Sequence, residues 1–126
     1  MQFKTNTKEK FHVITLQETS LSATMTDELE NCLIPFLQKD VKNVVLNLKD
    51  IQTIDDAVAE KIVHIQQKYY ESNASFVICQ LQDDVEKFLD GEGLLEIMNT
   101  TPTESEAWDI VQMEEIEREF LNDNES

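Results

Sequence analysis

Glycine and proline are scarce in this sequence, with only two of each in 126 residues. Because these two residues dominate turns and irregular segments, their scarcity argues against long loops and indicates that most of the chain lies in helices and strands. With 40% hydrophobic and 29% charged residues, the chain is too apolar for wholesale disorder. It is also long enough to bury a working core, so we expect one compact domain.

Basic residues are also few, since 10 lysines and arginines stand against 26 aspartates and glutamates and leave a formal net charge of -16. Affinity for DNA and RNA comes largely from basic side chains that neutralise phosphates, and anionic membrane surfaces attract the same basic residues. The charge balance therefore excludes nucleic acid as a partner, whereas it is compatible with a basic protein partner.

Long apolar runs are absent, and none approaches the roughly 20 residues that cross a bilayer. The first residues, Met1 to Thr5, lack the apolar core of a secretory signal. Cys32 and Cys79 lie in apolar segments, where buried and reduced thiols are the usual state and a disulfide is the less favoured alternative. We therefore expect a cytoplasmic protein without direct membrane insertion.

The residue patterns of common catalytic sites are missing as well. His12 and His64 are the only histidines, and neither has a partner at the spacing of metal ligands. The chain has no glycine-rich phosphate loop, no Cys-X-X-Cys and no Gly-X-Ser-X-Gly. We therefore predict no metal site, no cofactor and no enzymatic activity, and we interpret both histidines as ordinary surface or edge residues.

The spacing of apolar residues predicts the element order β-β-α-β-α-β-α-(β)-α. Two alternating segments, Gln2–Asn6 and Phe11–Gln17, suit a hairpin, and the dense apolar runs Val44–Leu48 and Ser75–Cys79 are typical of strands buried on both faces of a parallel sheet. Leu94–Met98 is either a final short strand or an extended linker. The predicted fold class is α/β, a single domain with a mixed sheet in which the N-terminal β-hairpin precedes parallel strands.

About four helices are expected around this sheet, predominantly on one of its sides. The first contains Pro35, which kinks it or ends it early. The second opens at Asp55, the third is short, and the last begins after a capping-box pattern at Thr103–Glu106. We predict that the domain covers residues 1–121 and that residues 122–126 form a loose acidic tail.

One strand-to-helix turn brings acidic residues to a place where binding sites often form. Asp55, Asp56 and Ala57 follow a buried strand and open the second helix, and such turns lie at the carboxyl edge of a parallel sheet. A helix N-terminus carries unpaired backbone N–H groups and about half a positive charge, which favours acidic side chains. The simpler interpretation is a helix cap with a first-turn acid, and the functional one is an acidic recognition site.

The stretch from Val44 to Ala57 reads Val-Val-Leu-Asn-Leu-Lys-Asp-Ile-Gln-Thr-Ile-Asp-Asp-Ala. It resembles the central segment of STAS domains of the anti-sigma-factor-antagonist type, where an apolar strand and a short loop precede Asp-Ser-Ser-Gly at the start of a helix. The order of elements is similar along nearly the whole chain. The resemblance implies a non-enzymatic regulatory domain that binds a protein, which in the family is an anti-sigma factor that is itself a kinase.

In that family, phosphorylation of a hydroxyl residue at the start of this helix switches binding off. With Asp55 on the family's aspartate, Asp56 takes the first hydroxyl position, Ala57 the usual phosphoacceptor position and Val58 the glycine position. The resemblance thus makes all four residues partner contacts. Because Ala57 has no hydroxyl, it also implies that the phosphorylation switch is lost at this residue, with Asp56 either imitating a phosphate or only capping the helix.

The resemblance adds two contact residues outside the helix edge. Ser22 lies in the hydroxyl-rich loop before the first helix, where capping is the simpler interpretation, and Gln82 follows the strand at 75–79. Two alternative functions stay open. One is a STAS-like accessory subunit on the cytoplasmic side of a lipid or anion transporter, with a transport ATPase as partner. The other is a small-ligand protein or enzyme with an acidic pocket at Asp55 and Asp56.

The C-terminal segment concentrates the negative charge. Between Glu104 and Ser126 the sequence has nine acidic residues and a single basic one, Arg118. A solvated helix face is the simpler interpretation of this run, and the alternative is a docking strip for a basic partner.

Overall fold

The computed structural model describes the backbone through Glu125 and the side chains through Leu121. Its strands are β1 (Phe3–Thr7), β2 (His12–Leu16), β3 (Ser20–Leu21), β4 (Val44–Asn47), β5 (Thr53–Ile54), β6 (Phe76–Cys79) and β7 (Thr100–Thr101). Five of them form one sheet in the order β1-β2-β4-β6-β7, with β1 antiparallel to β2 and all other neighbours parallel. This is the predicted mixed sheet, in which a hairpin precedes parallel strands. β3 and β5 form a separate parallel pair.

The helices are α1 (Thr26–Leu33), α2 (Asp56–Glu71), α3 (Asp83–Gly91) and α4 (Glu104–Glu125). α1 ends just before Pro35, as predicted, and the chain continues in a 3-10 turn, Ile34–Gln38. The backbone N–H of Glu106 donates to Thr103 Oγ1 at 3.2 Å, so the hydroxyl predicted to cap α4 does so. α4 runs on to Glu125, past residue 122, where the sequence predicts a loose tail to begin; Ser126 lies outside the described residues.

Alternate residues of the central strands face two separate apolar cores. Val44 and Leu46 of β4 point to the core covered by α1, α2 and α3, whereas Val45 of the same strand points to a smaller core covered by α4. The period-2 alternation of a strand explains this division. Three of the four helices lie on one side of the sheet, as predicted, and α4 lies alone on the other face. A strand that is apolar on both faces requires cover on both.

Polar contacts fix the helices of the larger core to each other. Glu30 of α1 accepts hydrogen bonds from Lys68 at 2.8 Å and from Lys61 at 3.0 Å, both on α2. These two ammonium groups lower the pKa of the Glu30 carboxyl to about 2. The hydroxyl of Tyr69, also on α2, donates to the carbonyl oxygen of Leu33, and burial raises the pKa of this phenol.

Both cysteines are free and buried, as the sequence predicts. Burial raises the pKa of Cys32 to about 11 and that of Cys79 to about 12, so both are far from forming the reactive thiolate. His12, by contrast, is not a surface residue. It is buried, with Nδ1 2.9 Å from Thr7 Oγ1 and Nε2 2.9 Å from the carbonyl oxygen of Val41.

Even α4, the longest helix, lacks the apolar run that a bilayer crossing requires, and the same holds for every other helix that the structure describes.

Candidate functional site

The turn that opens α2 is joined to the loop that leads into α1. β3 and β5 pair side by side, with Ser20 opposite Thr53 and Leu21 opposite Ile54. The backbone N–H of Asp55 extends this pairing by donating to the carbonyl oxygen of Leu21 at 2.9 Å. Two loops that are more than thirty residues apart in sequence therefore form one surface at the carboxyl edge of the sheet.

Asp55 stands at the N-cap position of α2 but its side chain does not cap that helix. Its backbone is extended there, with φ -80° and ψ 154°, and its carbonyl oxygen accepts the first helical hydrogen bond, from Ala59 at 3.0 Å. The carboxylate turns outward instead, and Oδ2 accepts a hydrogen bond from the backbone N–H of Ala23 at 2.8 Å. The Asp55 side chain, which the sequence predicts to cap α2, thus holds the loop at Ala23 in place instead.

Asp56 and Ala57 form the outer surface of the first turn of α2. Asp56 is exposed, and its Oδ1 accepts a hydrogen bond from the backbone N–H of Ala57 at 2.9 Å. Ala57 is half-buried and its methyl group offers no hydroxyl. Val58 is fully buried in the larger core, so its side chain supports the turn from below and is not part of the exposed surface expected from sequence.

Ser22 and Gln82, the two predicted contact residues outside α2, have different positions. Ser22 is adjacent to Ala23, the residue held by Asp55, and its hydroxyl lies 3.0 Å from that of Thr24. It therefore belongs to the same surface as Asp55 and Asp56. Gln82 is the N-cap residue before α3, and its side-chain amide donates to the carbonyl oxygen of Lys49 at 2.7 Å. This contact joins Gln82 to the loop after β4. Gln82 therefore lies at the same carboxyl edge of the sheet but takes no part in the Asp55–Ala23 contact.

Comparison with known proteins identifies the family of this chain. The model of the STAS domain matches residues 2–107. The chain belongs to the STAS domain family. No curated protein matches the sequence significantly.

Solved structures share the fold of this STAS domain at low sequence identity. A protein of Thermotoga maritima, provisionally an anti-sigma factor antagonist, superposes with a TM-score of 0.74 at 24% identity, covering 87% of this chain and 94% of that one. The anti-sigma factor antagonist SpoIIAA in its unphosphorylated form gives a TM-score of 0.68 at 18% identity, covering 88% of this chain and 96% of that one. At this identity the likeness establishes the fold alone.

A transporter contains the same fold as one part of a longer chain. The murine anion transporter Slc26a9, in its inward-facing state, gives a TM-score of 0.68 at 11% identity. The match covers 82% of this chain but only 18% of the transporter.

Sequence reasoning missed a polar cluster at the same edge of this STAS domain. Asn47, the last residue of β4, is buried, and its side-chain amide donates to Gln80 at 2.5 Å and to Glu104 at 2.8 Å. Its Oδ1 accepts from the backbone N–H of Lys49 at 2.9 Å. Gln80 has a positive φ of 57°, unusual for a residue with a side chain. The signal in the sequence that could have indicated this cluster is Asn47, because it is a polar residue inside an otherwise apolar strand.

Four cavities of the domain lie away from the two aspartates. Four hollows of about 130 to 360 Å³ are lined by residues of the hairpin, of the segments 40–43 and 49–50, and of α4, together with Asn73. None of these linings includes Asp55 or Asp56. Among the residues that the structure describes, no three histidine, cysteine or carboxylate side chains lie close enough together to hold a metal ion.

Proposed function

We propose that this STAS domain is a non-enzymatic regulatory module that binds a protein partner through the exposed turn of Asp55, Asp56 and Ala57, together with the Ser22 loop. The observation that carries the proposal is the Asp55–Ala23 hydrogen bond, because it fixes two loops into one exposed surface at the N-terminus of α2. A surface that is fixed before binding loses little conformational freedom when a partner docks. Gln82 contributes from the adjoining rim, and Val58 supports the turn from the core.

The partner of this module follows from the family resemblance. The resemblance to anti-sigma-factor antagonists favours an anti-sigma-factor-like kinase in the cytoplasm. An alanine at position 57 leaves no oxygen to accept a phosphoryl group, so binding at this turn is constitutive with respect to modification of that residue. The carboxylate of Asp56 supplies a fixed negative charge beside it, which is weaker than the charge of about -1.5 to -2 on a phosphoserine.

A capture experiment with matched variants tests the proposal. The wild-type domain, Ala57→Arg and Asp56→Lys serve as baits in lysate of the source organism, and bound proteins are identified by mass spectrometry. Asp56→Lys is included because Asp56 is exposed, so this variant changes the surface without disturbing packing. His64→Arg is the control, since His64 is exposed further along α2.

We expect both site variants to retain about one-tenth or less of the partner that the wild-type domain and His64→Arg recover, as for substitution of a central interface residue. Circular dichroism melts of all four proteins check that the fold is intact. Equal recovery of the same proteins by all four baits would remove the α2 turn as the binding surface.

The same experiment separates the transporter alternative. The likeness to the STAS region of an anion transporter favours a role as an accessory subunit of a transport protein. A membrane-associated transport ATPase that is lost with both site variants would establish that role in place of the anti-sigma-factor role.

The acidic-pocket alternative has less support from the geometry. Both carboxylates accept hydrogen bonds from backbone N–H groups, and the four hollows described above are lined by other residues. A chemical role requires a second functional group beside the carboxylates. The contacts of Asp55 and Asp56 with Ala23 and Ala57 supply only backbone amides.

A further inference from the structure

The outer face of α4 carries large apolar side chains that the fold leaves uncovered. Met113, Ile116 and Phe120 are 59%, 65% and 63% exposed, and they recur at spacings of three and four residues. Ala107 and Val111, fully buried against the sheet, mark the opposite face of the same helix. We call Met113, Ile116 and Phe120 the α4 stripe; Leu121, which is 58% exposed, lies at its edge.

This stripe differs from the scattered exposure that is normal on protein surfaces. A single exposed apolar residue carries no information, whereas a contiguous apolar patch rimmed by polar groups marks an interaction surface. Elsewhere in the described chain the exposed large apolar residues are Phe3, Ile97 and Trp108, well separated in sequence. Residues three and four apart on a helix have Cβ atoms only about 5–6 Å from each other, so the stripe is continuous.

The stripe lies outside the part of the chain that the family model matches. That match ends at residue 107, before the first residue of the stripe. The buried side of α4 beyond this point is tied to the amino edge of the sheet, where Glu115 and Arg118 bond to Asn43 and Arg118 also bonds to Ser75. The stripe is therefore on the opposite face of the sheet from α2.

The charges around the stripe are almost all negative. Between Glu104 and Leu121 there are seven acidic residues and one basic residue, Arg118, whose guanidinium is engaged by Asn43, Ser75 and Glu115. Lys10 shares a small hollow with Ile116 at one side of the stripe. A second copy of this chain would bring the same negative helix against it. A basic helix would pair its charges with the carboxylates instead.

We propose that the α4 stripe is a docking surface for a basic amphipathic helix of a partner protein. The apolar face of that helix packs on Met113, Ile116 and Phe120. Its lysines and arginines meet Asp109, Glu117 and Glu119, which are exposed beside the stripe. Apolar anchors at helical spacing with complementary charge at the rim are the usual elements of helix recognition. This surface acts separately from the α2 turn.

A binding titration with a defined probe tests the proposal. The probe is a fluorescently labelled 18-residue peptide of leucine and lysine in a helical repeat, and its control is a scrambled peptide of the same composition. Fluorescence anisotropy follows binding to the full chain, to the double variant Ile116→Ser with Phe120→Ser, and to Ile97→Ser. Ile97 is the matched control because it is a similarly exposed apolar residue, at 52%, away from α4.

We expect the double variant to bind the repeat peptide about tenfold or more weakly than the full chain, and Ile97→Ser to bind within about twofold of it. None of these substitutions changes the charge, so attraction by charge alone predicts equal binding of all three proteins. Binding to the full chain should also weaken as the salt concentration rises.

Three outcomes would overturn the proposal. The first is equal affinity of the double variant and the full chain for the repeat peptide. The second is a concentration-dependent dimer, seen by sedimentation and abolished in the double variant, which would make a second copy the occupant. The third is stripe-dependent binding to zwitterionic lipid vesicles in the absence of any binding to the peptide.

Discussion

The two faces of the sheet are built differently. The face under α1, α2 and α3 has a core of 23 buried residues, including the tilted rings of Tyr69 and Phe76 in contact, whereas the face under α4 has seven. α4 makes up part of this difference with polar contacts between Glu104, its first residue, and Asn47, and between Glu115, near its middle, and Asn43. The difference teaches that the fold depends mainly on one face, while the helix on the other face is held by a small core and a few polar contacts and keeps an apolar surface uncovered.

Removal of the polar contacts of Asn43, at the amino edge of the sheet, should lower the stability of the domain more than the other substitutions proposed below. Asn43 is buried, accepts from the backbone N–H of Ser75 at 2.7 Å, and donates to the carbonyl oxygen of Lys10 and to Glu115. Asn43→Ala leaves the buried N–H of Ser75 without a partner and leaves Glu115 paired with Arg118 alone, and a buried unpaired group costs about 1–3 kcal/mol. We expect a loss of about 3 kcal/mol in the free energy of unfolding, measured by urea denaturation.

The control for this variant is Asn31→Ala on the exposed side of α1, which should change stability by less than about 0.5 kcal/mol. If Asn43→Ala is no more costly than this control, the polar contacts between α4 and Asn43 do not compensate for the small core under α4.

A matched pair of valines compares the two cores directly. Val44 and Val45 are neighbours in β4, both fully buried, and they point to opposite faces. We expect Val44→Ala to cost about 2–3 kcal/mol and Val45→Ala about 1–2 kcal/mol, because α4 can settle onto a smaller residue more easily than the larger core can collapse. Urea denaturation measures both. Equal losses would mean that the two faces are packed with equal rigidity.

Loss of the ion pairs of Glu30, on the face with the larger core, should change the stability of the domain the least. Its folded-state pKa of about 2 lies below the ordinary value of 4.5, so its contribution to stability is present above about pH 4.5 and is lost as the pH falls towards 2. We expect Glu30→Gln to be slightly less stable than the wild-type domain at pH 7 and equally stable near pH 2, because exposed pairs contribute little. Urea denaturation at a series of pH values checks this, and a difference that stays constant with pH would contradict it.

The sheet and most helices could be predicted because their signals are local. Val44–Leu48 and Ser75–Cys79 are apolar on both faces, and the structure has β4 and β6 there. α1 ends just before Pro35 because the ring nitrogen of proline carries no hydrogen and cannot donate a helical hydrogen bond. The side of the sheet on which α4 lies could not be predicted, because no strand follows it among the described residues and the handedness rule for crossovers does not apply.

The short strands and the contacts of the site depend on distant residues. β7, Thr100–Thr101, is too short to show periodicity, and the predicted strand or linker at 94–98 is instead mostly a 3-10 turn. Asp55 and Asp56 could be singled out from sequence because they open a helix. The bond from Ala23 to Asp55 could not, since it joins loops 32 residues apart.

The strand order of the sheet also bears on how the chain is assembled. In the order β1-β2-β4-β6-β7 each strand is added beside the strand made before it, always at the same growing edge. A chain emerging from the ribosome can therefore extend the sheet by one strand at a time, without inserting a late strand between two earlier ones. α4 is synthesised after all the strands of this sheet. The smaller face of the sheet, with Val45 and Val77, thus stays uncovered until α4 has been made, which leaves it open to aggregation in the nascent chain.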